Sequence, residues 1–186
     1  MGLTVKERGL SVATFRFVQV GLMETLAAWV PTTPEMEVKL LFGEHIWDFA
    51  QHADSFGKRT YELRLPLQHS SPPTEAYRQV LRKLSATEET TKRLAGIYDV
   101  MLPALEARYR RYLEATDTLM DAPTVRILER VLSDEARMVE QSRQLREELP
   151  QLQLRDSAWA RDLAAVETAA GEMVSLPLEA ASSAAT

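Results

Sequence analysis

The sequence predicts an all-α protein, a four-helix bundle of two antiparallel helical hairpins joined by one long crossover, with an extra helix at the C-terminal end. Three observations predict it. Apolar residues recur at helical spacing along most of the 186 residues, and neither Asn-Gly nor Asp-Gly, the strongest hairpin signals, occurs. Two pairs of long helical patterns are separated by only a few residues, at Pro31 and at Asp121-Ala-Pro-Thr, so each pair must fold back on itself. Between the pairs, residues 57–72 carry the weakest helical pattern and end in His69-Ser-Ser-Pro-Pro, which makes the middle connection long.

The elements follow in order. A first helix spans Leu10 to Val30, with Phe15, Val18, Leu22, Leu26 and Trp29 at helical spacing, and stops at Pro31. Thr33 is placed to cap the second helix, with Pro34 at its first position and Glu35 and Glu37 complementing the positive end of the dipole. That helix is expected to end at Gly57. A short helix covers Thr74 to Leu84, and Ser85-Ala-Thr-Glu88 reads as a capping box opening the next long helix, which runs to about Thr118 with a kink at Pro103. The fourth long helix spans Pro123 to Leu149 and stops at Pro150. A weaker helix over Arg155 to Ala170 and an Ala/Ser-rich end from Leu178, expected to fray, complete the chain. The expected division is a bundle over residues 1–150 and a C-terminal helix with a tail over 151–186.

Composition narrows the partners. Asp and Glu number 27 against 22 Lys and Arg, a net charge of -5, which argues against nucleic acid as a bulk electrostatic partner. The basic cluster Arg108, Arg110 and Arg111 is bracketed by Glu106 and Glu114 and reads as a solvated helix face. With no cysteine, any metal must be held by carboxylates and imidazoles, which suits iron, manganese or zinc. No run approaches the roughly 20 apolar residues of a membrane span. The apolar N-terminal stretch contains Arg16, Gln19 and Glu24 and lacks a small-residue cleavage site, so a cytoplasmic protein without membrane association is the expectation.

The densest chemistry lies in Gly43-Glu-His-Ile-Trp-Asp-Phe-Ala-Gln-His-Ala-Asp54. Helical spacing sets His45, Asp48 and His52 on one stripe, flanked by Phe42 and Phe49, so ligand-type groups face a core where unpaired polar atoms are costly. Two glutamates fall among apolar neighbours: Glu24, with Phe17 and Val20, and Glu135, with Leu128, Val131 and Met138. Counting outward from the turns puts Glu135 level with about position 107, beside Glu106, and Glu24 level with about position 40, near Glu44 and His45. The candidate metal set is therefore Glu24, His45, Asp48, His52 and Glu135, with Asp48 also placed to orient an imidazole. Trp29, Trp47, Tyr98, Tyr109 and Tyr112 read as packing, and phosphate loops, Gly-x-Ser-x-Gly elbows and His-Glu-x-x-His helices are absent.

On the 43–54 stretch and on Asp121-Ala-Pro-Thr-Val-Arg-Ile-Leu-Glu-Arg-Val-Leu-Ser-Asp-Glu-Ala-Arg-Met138, the chain resembles the ferritin-like superfamily over residues 10–149. The resemblance implies a bundle with one long crossover, in which each of two helices supplies a Glu and each of the other two a Glu-x-x-His to an iron or manganese centre. It also implies an oxidase or oxygenase acting on a small molecule. Two departures stand out. Glu135-Ala-Arg-Met138 ends in methionine where the pattern has histidine, and three residues before His52 stands Phe49 rather than a glutamate. The competing expectation is a bundle without metal that serves as an interaction or scaffold module. A zinc or nickel hydrolase-like bundle is weakened because His69 falls in the crossover loop. Leu40, Ile46 and Trp47 give the second helix an apolar face suited to a homodimer.

Overall fold

A computed structural model describes residues 2–154 and 157–174. Every regular element among them is helical: α1 Val5–Trp29, α2 Met36–Glu62, α3 Glu75–Ser85, α4 Thr90–Leu94, α5 Leu102–Ala115, α6 Ala122–Glu148 and α7 Ala158–Ala169. A wider π-helical segment, Ala95–Met101, joins α4 to α5 without a break, and short 3₁₀ turns occupy Val30–Thr32 and Pro150–Leu152. No helix of the described residues is long and apolar enough to cross a membrane.

Cross-helix pairs fix the directions. Phe15 meets Phe56, Gln19 meets His52 and Trp29 meets Phe42, so α1 and α2 are antiparallel. His45 meets Gln141 and Arg59 meets Asp121, so α2 and α6 are antiparallel. Asp99 pairs with Arg146 and Tyr112 with Asp121, which opposes α6 to the α4–α5 rod. Phe15 stacks edge-on against Tyr109 and Arg93 sits over Trp29, which closes the ring. Thus α1 and α6 run one way, α2 and α4–α5 the other, and residues 63–89, carrying α3, cross the length of the molecule between α2 and α4.

The inner faces repeat every seven residues, the mark of side-by-side helices packing knobs into holes. On α1 the buried positions include Val12, Gln19 and Leu26, alternating with Phe15, Leu22 and Trp29. On α2 they are Phe42, Phe49 and Phe56, alternating with His45, His52 and Arg59. On α6 they are Leu128, Glu135 and Ser142, alternating with Thr124, Val131 and Met138. One apolar core results, and Leu152, Leu163 and Met173 belong to it. The helix expected to stand outside the 1–150 bundle is therefore seated on α3 and the π segment, with the backbone N–H of Thr74 donating to Met173 O at 3.0 Å. Arg155 and the tail from Leu178 lie outside the described residues.

Several expected boundaries move, each for a local reason. The first helix begins at Val5 rather than Leu10 because Thr4 and Glu7 form a capping box, the threonine accepting from Glu7 N and the carboxylate from Thr4 N. Glu35, not Thr33, precedes α2; Thr33 is buried, donates to Trp29 O and accepts from Arg93. The second helix passes through Gly57 to Glu62, because that glycine serves close packing: a Cβ there would lie 2.0 Å from Gln68 Oε1 and 2.8 Å from Arg16 Nε. The Ser85–Glu88 capping box does not form. Ser85 ends α3, its carbonyl accepts from Trp29 Nε1, and α4 starts after Glu89. At Pro103, which lacks an N–H and crowds the carbonyl four residues back, the backbone widens into the π segment over the preceding turn.

One buried cluster ties the far end of the bundle together. The Asp121 carboxylate is fully buried and accepts from Arg59 Nη2, Tyr112 Oη, Thr116 Oγ1 and Thr124 Oγ1 at 2.6–2.9 Å. Burial opposes its charge, but these donors win and hold the carboxyl below its ordinary 3.8. An acid with a depressed folded pKa stabilises the fold above its unfolded value and loses that contribution as pH falls through the folded one. Asp121→Ala is expected to destabilise the protein by about 3 kcal/mol at neutral pH, since it strands a buried guanidinium. The difference from wild type should shrink as pH drops below 3.8, measured by urea unfolding at a series of pH values.

Candidate functional site

Seven-residue spacing sends His45 and His52 into the bundle, both essentially inaccessible to solvent. They stand about 10 Å apart along the helix axis, too far to grip one ion with metal–nitrogen bonds of about 2 Å. Each has its own partners. His45 Nδ1 is 2.7 Å from Tyr98 Oη, and its Nε2 is 2.9 Å from Gln141 Oε1. The tyrosine donates, so the histidine is the neutral Nε2–H tautomer, donating to the glutamine carbonyl. Gln141 Nε2 donates in turn to Glu44 at 2.9 Å.

Around His52 lies a second chain of contacts. Its Nε2 is 3.1 Å from Asp134 Oδ2 and its Nδ1 is 3.2 Å from Gln19 Oε1. Gln19 Nε2 donates to Tyr109 Oη at 2.9 Å and to Glu135 Oε1 at 2.8 Å. Gln19 thus bridges the histidine of α2 and the glutamate of α6. Asp48, at the rim, accepts from Arg137 Nη2 at 2.8 Å, and the same guanidinium reaches Glu44 and Gln141. Of the five residues predicted from sequence, His52 and Glu135 are joined through Gln19, while Asp48 and His45 are linked through Arg137 and Gln141.

Glu24 is the correction. It is exposed and lines a groove of about 380 Å³ between α1 and α3, with Arg78 and Arg82. The inner face of α1 runs through Gln19, Leu22 and Leu26, and a residue two positions after Leu22 turns outward; Phe17 and Val20, its supposed apolar stripe, form the half-buried flank. The spacing that excludes Glu24 also identifies Gln19, whose buried role a seven-residue count from Val12 and Leu26 would have revealed. Asp134, Arg137 and Gln141 were missed because their partners lie on α2, and Tyr98 and Tyr109 because aromatics read first as packing.

Protonation couples the two ends of the Gln19 bridge. With its amide N–H groups on Tyr109 and Glu135, the Gln19 carbonyl needs a proton from His52 Nδ1, while Asp134 draws the one on Nε2; His52 is then an imidazolium, and Glu135 accepts at Oε1 either as a carboxylate or with its proton on Oε2. Moving one proton from His52 to Glu135 Oε1 and turning the amide over leaves both groups neutral and every contact complementary. Burial favours the neutral pair. It pushes the Glu135 carboxyl up to about 8, against the Gln19 hydrogen bond and with help from the charges of Glu106 and Asp134. It also lowers His52, against its Asp134 contact, and lowers His45, against its bond to Gln141. The arrangement is therefore a buried hydrogen-bonded chain that reaches the rim at Asp134.

It does not have the form of a metal centre. Among the described residues no three His, Asp or Glu converge as an ion requires, and both imidazoles have each ring nitrogen engaged by a protein partner. Arg137 pairs with Asp48 at 2.8 Å and lies 3.5 Å from Asp134, two carboxylates beside the histidines. The donor set does not fit iron or manganese. Compared with family models, with curated proteins and with solved structures, the chain matches none.

A pH profile checks the Glu135 assignment. An unfolded glutamate loses its proton near 4.5 and the folded one keeps it to about 8, so stability should fall as pH rises between those values. The lowered histidines act in the other direction, removing stability as pH drops below 6.5. Glu135→Gln keeps the shape and the Gln19 contact without the ionisation. It is expected to match wild type near pH 4.5 and to exceed it by on the order of a few kcal/mol above pH 8, read from chemical denaturation.

Proposed function

We propose that this chain is a ferritin-like bundle whose metal site has given way to a hydrogen-bonded seam, and that it works as an interaction module rather than an iron- or manganese-dependent oxidase. The up-down-down-up order of the four long rods, with one crossover between the second and third, supports the fold reading. The two Glu-x-x-His frames then correspond to Phe49-Ala-Gln-His52 and Glu135-Ala-Arg-Met138, each with one ligand replaced by a buried apolar side chain. Gln19 lies between the two survivors. The observation that carries the proposal is the saturation of both histidines by protein partners, which leaves no imidazole lone pair free for an ion.

The partner we propose is a second copy of the chain, in the cytoplasm. Met36, Leu40 and Trp47 are 60%, 68% and 66% exposed and fall with Gly43 on one outer stripe of α2. Gly43 has no neighbour within 4 Å of where a Cβ would lie, which leaves a notch in the stripe. An antiparallel two-fold pairing centred there sets Trp47 against the partner's Leu40 and lets the two backbones approach at the glycines.

Elemental analysis of protein purified without an affinity tag, followed by Fe(II) and Mn(II) titration, tests the metal-free reading. Far less than one ion per chain and an unchanged melting temperature are expected; stoichiometric uptake that vanishes in His52→Ala would overturn it. Sedimentation velocity tests the interface. A dimer should dissociate in the Leu40→Glu, Trp47→Glu double variant with its helical circular dichroism retained, and a wild type that stays monomeric at high concentration removes the second-copy reading.

A further inference from the structure

Glu135 is only 3% exposed, yet one of its oxygens has no use inside the protein. Oε1 is held by Gln19, while Oε2 is buried without a hydrogen-bond partner. An unmet acceptor of this kind is uncommon in a folded interior and asks for an explanation. The side chain lines a cleft of about 190 Å³ between α5 and α6, together with Glu106 and apolar walls that include Leu102, Leu132 and Val139. We infer that this cleft binds a small organic cation of the primary alkylammonium class, its ammonium group donating to Glu135 Oε2 and to Glu106, its alkyl part lying against the apolar walls.

The chemistry follows from what Oε2 can be. When Glu135 is ionised, or protonated on Oε1 toward Gln19, Oε2 accepts; when the proton sits on Oε2, Oε1 still accepts from Gln19 and Oε2–H donates. A bound ammonium selects the arrangements in which Oε2 accepts. The charges facing the cleft favour a cation. Glu106 on α5 and Glu135 on α6 are the two carboxyl groups that line it. Arg110 contacts Glu106 through Oε1 alone, at 2.8 Å, leaving Oε2 for a second donor, and Arg108 is held by Glu167 and the carbonyl of Gly171. Size sets the limit, for the volume equals about six waters at roughly 30 Å³ each and is well below the roughly 300–1,000 Å³ of drug-sized sites. A four- or five-carbon amine suits it.

Chemical shifts of the full chain titrated with n-butylammonium chloride, and in parallel with n-butanol, test the site. The amine should shift the amides of Leu132, Ala136 and Val139 and bind at least about tenfold more tightly than the alcohol, the margin of a charge-assisted hydrogen bond. Glu135→Leu removes the acceptor and should reduce amine binding by about tenfold or more. Ala136→Leu, at the exposed wall, should block the cleft while leaving Glu135 and Gln19 untouched, so a loss there cannot be ascribed to a damaged core. Equal binding of alcohol and amine, shifts confined to other surfaces, no saturable shift at all, or undiminished binding by folded Glu135→Leu protein would each overturn the inference.

Discussion

A buried polar side chain must find its partner, and α2 carries three of them at seven-residue intervals on its inner face. His45, His52 and Arg59 alternate with Phe42, Phe49 and Phe56, so each apolar layer of the bundle is followed by a layer that needs hydrogen bonds. The partners descend α6 in the opposite sense: Gln141, Asp134, then Thr124 and Asp121. Sliding α2 by one heptad would set Phe49 and Phe56 at the core levels Phe42 and Phe49 now hold. It would also set Arg59 against Asp134 and leave the fully buried Asp121 carboxylate without its cation. Apolar packing tolerates that slip and the polar layers do not, so the register of the two helices rests on hydrogen bonding.

The same constraint reaches the other rods. Gln19 brings α1 into the His52 layer, and Tyr109 brings in α5. Tyr98, on the π segment, brings that rod into the His45 layer. Each long rod therefore contributes to a polar layer, and the layers stack along one axis. The pairing of Asp99 with Arg146, through both carboxylate oxygens at 2.6 and 2.7 Å, lies outside that axis on the solvent side of the π segment and holds that segment to α6 from the outside.

Most of the fold could be read in the chain because it depends on periodicity and on prolines. Short links at Pro31 and Pro123, the long middle connection and the helices themselves follow from spacing alone. The boundaries that moved did so through contacts remote in sequence: Gly57 yields to Gln68, Ser85 is held by Trp29, and Thr33 by Arg93. The site was legible by half for the same reason. His45, His52 and Glu135 are ligand-type residues among apolar neighbours, and that oddity is visible locally. Glu24 misleads because its apolar neighbours Phe17 and Val20 lie on the helix flank, and a strict seven-residue count selects Gln19. Asp134, Arg137 and Gln141 look like surface residues on α6 until α2 is laid beside them.

A core that buries His52 and Glu135 must satisfy both of them. Met138 and Phe49, three residues from each along their helices, are fully buried and need no hydrogen bond. Their neighbours His52 and Glu135 remain ionisable, and two such groups side by side in a dry interior would ordinarily be costly. An amide between them resolves the difficulty, because it donates from one end and accepts at the other, and turning it over exchanges the ends. Gln19 can therefore serve a charged His52–Glu135 pair or a neutral one with the same number of protons and no movement of backbone. A glutamate at position 19 would accept from a histidine but would face Glu135 with a second carboxylate, which is tolerable beside a metal cation and unfavourable without one. The glutamine is thus the residue that makes the buried His52–Glu135 pair compatible with an apolar core.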